Sequence, residues 1–199
     1  MKKLTYTLAS FAFLILTAFS LASLPKDFKK ALERAKLTFT PTDGLIEVKT
    51  IPNDQVGYDY AIKYKDKDFE VRYLIMPLDS MVLEYNKSKG DTTKQVLEPN
   101  KLFHSMFLVT AMNAGMGANS GMPDINAFNS DAVKSEFNAD EGGTVFINAG
   151  KEFGQDYNYC MIVGIHKDNI GDAYIFYLSK TKDGFTDLLK PAFHSLRFK

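Results

Sequence analysis

Residues 157–166 (YNYCMIVGIH) and 173–179 (AYIFYLS), joined across Asp168-Asn169-Ile170-Gly171, read as a hairpin of two strands that are apolar on both faces. In the first strand Tyr159, Met161, Val163 and Ile165 fall on one side, and Cys160 and Ile162 on the other. A strand without a polar side belongs in the middle of a sheet that is covered above and below. The flanking sequence supplies strands and covers. Residues 69–76 alternate Phe69, Val71, Tyr73 and Ile75 against Glu70, Arg72, Leu74 and Met76. Before them Tyr58, Tyr60, Ile62 and Tyr64 alternate with Asp59, Ala61, Lys63 and Lys65, and the polar Asp66-Lys67-Asp68 joins the two as another hairpin. Alternation of this kind marks antiparallel pairing.

Helical periodicity accounts for the covers. Leu24, Phe28, Leu32 and Ala35 recur along one face of residues 24–36, with Pro25 in the first turn and charged residues on the other face. Residues 102–112 are apolar on almost every side, with only Lys101, His104 and Ser105 as a polar face, which predicts a largely buried helix. Ser130-Asp131 is expected to cap a short helix through Phe137. Gly142-Gly143 is expected to end that region before a strand at 144–147. Phe185, Leu188 and Leu189 mark a last helix, interrupted at Pro191. Residues 79–100 are read as Met81-Val82-Leu83 followed by a polar loop over 86–94. The fold class that follows is α+β, an antiparallel β-sheet sandwiched between helices over residues 23–199.

Short pieces of sequence match a known superfamily. Leu37-Thr38-Phe39 followed by Pro41 and Gly44, the strand opening Asp172-Ala173-Tyr174, and the closing Phe193-His194-Ser195-Leu196-Arg197-Phe198 resemble the PsbP-like superfamily, which includes Mog-type Ran-binding proteins. The resemblance implies an α/β/α sandwich and carries no catalytic signature with it. Trp, which relatives often have after the early Pro, is absent here.

The N-terminus reads as an export signal. Lys2 and Lys3 precede the apolar residues 4–21, and Ser20-Leu21-Ala22 places small residues where a signal peptidase reads them, so cleavage is expected after Ala22. Removal of Lys2 and Lys3 leaves 22 basic against 24 acidic residues. Export to a periplasmic or extracellular space makes the lone Cys160 informative, because a single thiol cannot form an internal bridge. Its apolar surroundings predict a buried free thiol behaving as a small hydrophobe.

Composition narrows the function. The 199 residues carry 24 basic and 24 acidic side chains without a basic cluster, which argues against nucleic-acid binding. At 45 % hydrophobic and 13 % aromatic the chain has the material for a packed core. Its three histidines, His104, His166 and His194, are far apart in sequence and offer no local zinc spacing. No phosphate-binding or nucleophile motif stands in the chain, so no cofactor, metal or catalytic residue is assigned. The expectation is a non-catalytic exported binding or accessory module whose partner is a protein or a small ligand. Candidate contact residues are Asn113, Met116, Asn119 and Met122 in the glycine-rich segment 113–124 (NAGMGANSGMPD), together with Tyr58 and Tyr60, whose strand alternation equally suits ordinary sheet packing. The alternative is a hydrolase or other enzyme whose site is assembled by the fold around His104 or His166.

Overall fold

The computed structural model describes residues 24–91, 93, 96–115 and 122–199. The expected export signal and the candidates Met116 and Asn119 lie outside the described residues. In chain order the elements are α1 (Lys26–Arg34), β1 (Leu37–Phe39), β2 (Leu45–Glu47), β3 (Tyr60–Tyr64), β4 (Phe69–Pro77), α2 (Asp79–Ser88), α3 (Phe103–Ala114) and β5 (Asn126–Ala127). They continue with α4 (Ser130–Phe137), β6 (Glu141–Asn148), α5 (Lys151–Gly154), β7 (Tyr159–Lys167), β8 (Gly171–Ser179), α6 (Phe185–Leu189) and β9 (Leu196–Phe198). A seven-stranded antiparallel sheet runs β2-β3-β4-β8-β7-β6-β5, and β1 pairs with β9 apart from it.

Strand β8 is the centre of the sheet. It pairs with β4 from Phe69↔Ser179 to Pro77↔Gly171, and with β7 from Tyr159↔Ser179 to Lys167↔Gly171. All nine of its residues are buried. On one face Val71, Tyr73, Ile75, Val163, Ile175 and Tyr177 pack with Phe28 and Leu32 of α1, Phe137 of α4, Phe185 of α6, and the β1–β9 pair. On the other face Cys160, Ile162, Tyr174, Phe176 and Leu178 pack with Phe103, Phe107 and Ala111 of α3 and Phe153 of α5. The two-sided apolar pattern of residues 157–179 is thus met by helices on both sides. Burial pushes the Cys160 thiol well above its usual range, so the group is an inert part of the second face.

Several local expectations need correction. Residues 79–88 form α2, whose mixed sequence hides a helix because none of its residues is buried, leaving no apolar stripe to read. The α4 cap is Asn129, one residue earlier than expected; its Oδ1 accepts from the backbone N–H of Asp131 and Ala132. Gly142 and Gly143 lie inside β6 rather than before it. A Cβ on Gly143 would stand 2.9 Å from the Asn126 carbonyl oxygen, so the glycine lets β5 lie flush against β6. Tyr58 precedes β3 and packs toward the second face, against Phe153 and Arg72, while Tyr60, Ile62 and Tyr64 belong to the first.

The polar side of β4 is buried as well. Arg72 is 1 % exposed, its Nε donates to Glu70 Oε1 at 2.6 Å, and its Nη1 donates to the Phe153 carbonyl. The guanidinium stacks over the rings of Tyr58 and Phe153 at 4.8 and 5.0 Å. Arg72 therefore ties α5 and the chain before β3 to the sheet. A buried pair that loses one partner leaves an uncompensated charge. Arg72→Met is expected to cost about 3–5 kcal/mol, and Glu70→Gln/Arg72→Met together markedly less, by urea unfolding; a single variant as stable as the wild type would contradict this role.

Candidate functional site

Along one border of the second face, a cleft of about 260 Å³ opens between α3 and the β5–β6 edge of the sheet. Phe103, His104, Phe107 and Leu108 of α3 form one wall. Met122, Pro123 and Ile125, with Ala127 of β5 and Gly142-Gly143 of β6, form the other. Residues 102–112 were expected to be largely buried because they are apolar on nearly every side. Instead α3 buries Phe103, Phe107, Thr110, Ala111 and Ala114, leaves Val109 exposed, and turns Leu108 into the cleft. Phe107 is set by a close approach: a Cβ on Gly164 of β7 would meet its ring at 2.9 Å, so the ring lies directly on the strand.

The cleft walls are apolar apart from His104. That side chain is 72 % exposed, and its Nε2 lies 2.9 Å from Glu141 Oε2 at the start of β6. Beneath the cleft the Phe103 ring stacks on His166 at 5.2 Å. His166 is fully buried, with Nδ1 2.5 Å from Asp172 Oδ1 and Nε2 3.1 Å from Asp168 Oδ1. Asp172, beside the hairpin turn, is buried and stands opposite His166 in the β7–β8 register. Asp140, bonded to Lys134, accepts from the Asp168 backbone N–H and thereby joins the tip to the end of α4.

The sequence candidates are placed apart. Met122 is 79 % exposed and lines the cleft. Asn113 is exposed near the end of α3 and does not line it. Tyr60 is a core residue, 1 % exposed and stacked on Phe28 at 4.6 Å, so its ring offers no contact surface. Tyr58 is half-buried, its hydroxyl accepting from the Ile51 N–H beside Arg72. Sequence reading missed Phe103, Phe107, Leu108 and Ile125 as wall residues; the all-round apolar character of 102–112 was the available signal. Among the described residues no group of three His, Cys, Asp or Glu side chains is gathered as a metal site would need. No protein-family model matches the chain, and no curated protein matches it.

The His166 cluster has a measurable consequence. Burial pulls its pKa down, but the Asp172 and Asp168 carboxylates outweigh burial and raise it above the ordinary 6.5. A group whose pKa is higher in the folded state stabilises the fold fully below its unfolded pKa, and that stabilisation is lost as pH rises through the folded pKa. Urea unfolding of wild type and His166→Gln from about pH 5.5 to 8.5 should therefore show the largest wild-type advantage at the acid end. An advantage that grows with pH would contradict the assignment.

Proposed function

We propose that this chain is an exported, non-catalytic binding module that takes a small apolar ligand in the cleft beneath α3. The cleft itself carries the proposal. Its walls are mostly apolar and its volume is about 260 Å³. A void of about 150 Å³ admits benzene, whereas drug-sized ligands occupy about 300–1,000 Å³. The site suits a group the size of a large side chain or a short alkyl chain. The exposed Met122 at the wall can adapt to the occupant.

The enzyme alternative draws less support. Both ring nitrogens of His166 are engaged by carboxylates, and neither is hydrogen-bonded to a hydroxyl or thiol. His104 lies against the Phe103 ring and pairs with Glu141. A general base needs access to the proton it removes, which the enclosed His166 does not offer. Placement in the PsbP-like superfamily is supported by an antiparallel sheet with helices on both faces, and by the β1–β9 pair that brings Leu37-Thr38-Phe39 against Leu196-Arg197-Phe198. Export is supported by the charged start and apolar stretch of the N-terminus, while no helix among the described residues is long and apolar enough to cross a membrane.

Two measurements test this. 1-Octanol should displace a polarity-sensitive naphthylamine fluorophore saturably from wild type, and Leu108→Arg should weaken that binding about tenfold, the scale of losing a fully buried apolar contact. Binding unchanged in Leu108→Arg would place the site elsewhere. When the full chain is expressed in a bacterial host, N-terminal sequencing of the exported protein should begin at Ser23; retention of residues 1–22 in a cytoplasmic product would contradict export.

A further inference from the structure

We infer that Asn86 is a glycosylation site, its side-chain amide accepting an oligosaccharide from a lipid diphosphate donor outside the cytoplasm. This rests on export of the chain and is independent of the cleft. Residues 84–88 read Glu84-Tyr85-Asn86-Lys87-Ser88. Asn86 heads the one Asn-x-Ser/Thr in the chain, the acceptor pattern for N-linked glycans. Glu84 supplies the acid two residues before the asparagine that bacterial oligosaccharyltransferases also require. Neither intervening residue is a proline.

The structure presents these residues to a large enzyme. They close α2, the helix that buries none of its residues, and Glu84, Asn86 and Lys87 are exposed. Residues two apart on a helix do not face the same way, so a transferase cannot read Glu84 and Asn86 together from one side. Extended backbone turns 84, 86 and 88 to a single face. The acceptor must therefore leave the helix, and little opposes that. Ten residues are too few for a stable helix on their own, and opening this one uncovers no buried side chain of its own. After Ser88 the chain has already left the helix, with Lys89 extended and Gly90 at a φ of +95°. Opening frees the Ser88 hydroxyl, which donates to the Glu84 carbonyl at 2.9 Å. The anchor of α2 lies at its other end, where Arg34 donates to both Asp79 carboxylate oxygens, from Nε at 2.9 Å and Nη2 at 2.6 Å.

The transfer balances without oxidation or reduction. Asn86 Nδ2 forms a bond to C1 of the first sugar, and the bond from C1 to the diphosphate oxygen breaks. The lipid diphosphate leaves with that electron pair, and Nδ2 gives up one proton to the transferase.

The full chain, expressed in a bacterial host that carries such a transferase and a lipid-linked oligosaccharide, tests the inference. Intact mass of the exported protein should show one added glycan, and Asn86→Gln, Ser88→Ala and Glu84→Gln should each abolish it. When purified, folded protein is treated with transferase and donor, Arg34→Ala should speed modification about two- to fivefold, the scale of one exposed ion pair. Circular dichroism checks that each variant keeps the fold. Exported protein without the added mass, or a glycan that survives Asn86→Gln, would overturn the site. Equal rates for wild type and Arg34→Ala would overturn the opening of α2. A product that keeps residues 1–22 in the cytoplasm would overturn export alone, since the reaction on purified protein needs no export and still reports on Asn86.

Discussion

Strand β8 constrains everything else in this molecule. It is paired along its full length to β4 on one side and β7 on the other, and all its side chains are buried. Such a strand is stable only if both faces of the sheet are covered, since its backbone groups are satisfied laterally and its side chains must leave water vertically. The chain answers with α1, α4, α6 and the β1–β9 pair on one face, and with α3 and α5 on the other. The cleft opens at the border of the second face.

That second face also holds the buried charges. Glu70–Arg72 and His166–Asp172 are both set among aromatic rings, and both are paired, because an unpaired charge in such a layer would titrate or unfold it. Each pair also holds a cover in place. Arg72 donates to the Phe153 carbonyl of α5, and His166 stacks on Phe103, the first residue of α3. Phe103 continues as a cleft wall, so the buried histidine lies one ring away from the cleft.

The sheet was legible in the sequence because its signals are periodic and redundant. Parity along β4, β7 and β8 assigns each apolar residue to the face it occupies. Parity does not say whether a face is covered: it leaves Tyr60 open between sheet packing and a contact surface, and Tyr60 is core because α1 lies over it through Phe28. Helix α2 was invisible for the opposite reason, since an element that buries nothing leaves no stripe. The cleft was only half legible. Met122 was singled out for its glycine-rich setting, but its partners come from α3 and β6, brought together by the ladder of β6 on β7 rather than by proximity in sequence. His166 and Asp172 face each other across a hairpin whose turn was identified, but their pairing was not read from the sequence and came with the register.

Amide hydrogen exchange under native conditions tests the central role of β8 most directly. Amides of β8 should exchange only by global unfolding and be the slowest in the protein, with the first turn of α3 opening at lower free energy. Exchange of β8 as fast as that of the unburied helix α2 would contradict a fold built outward from this strand.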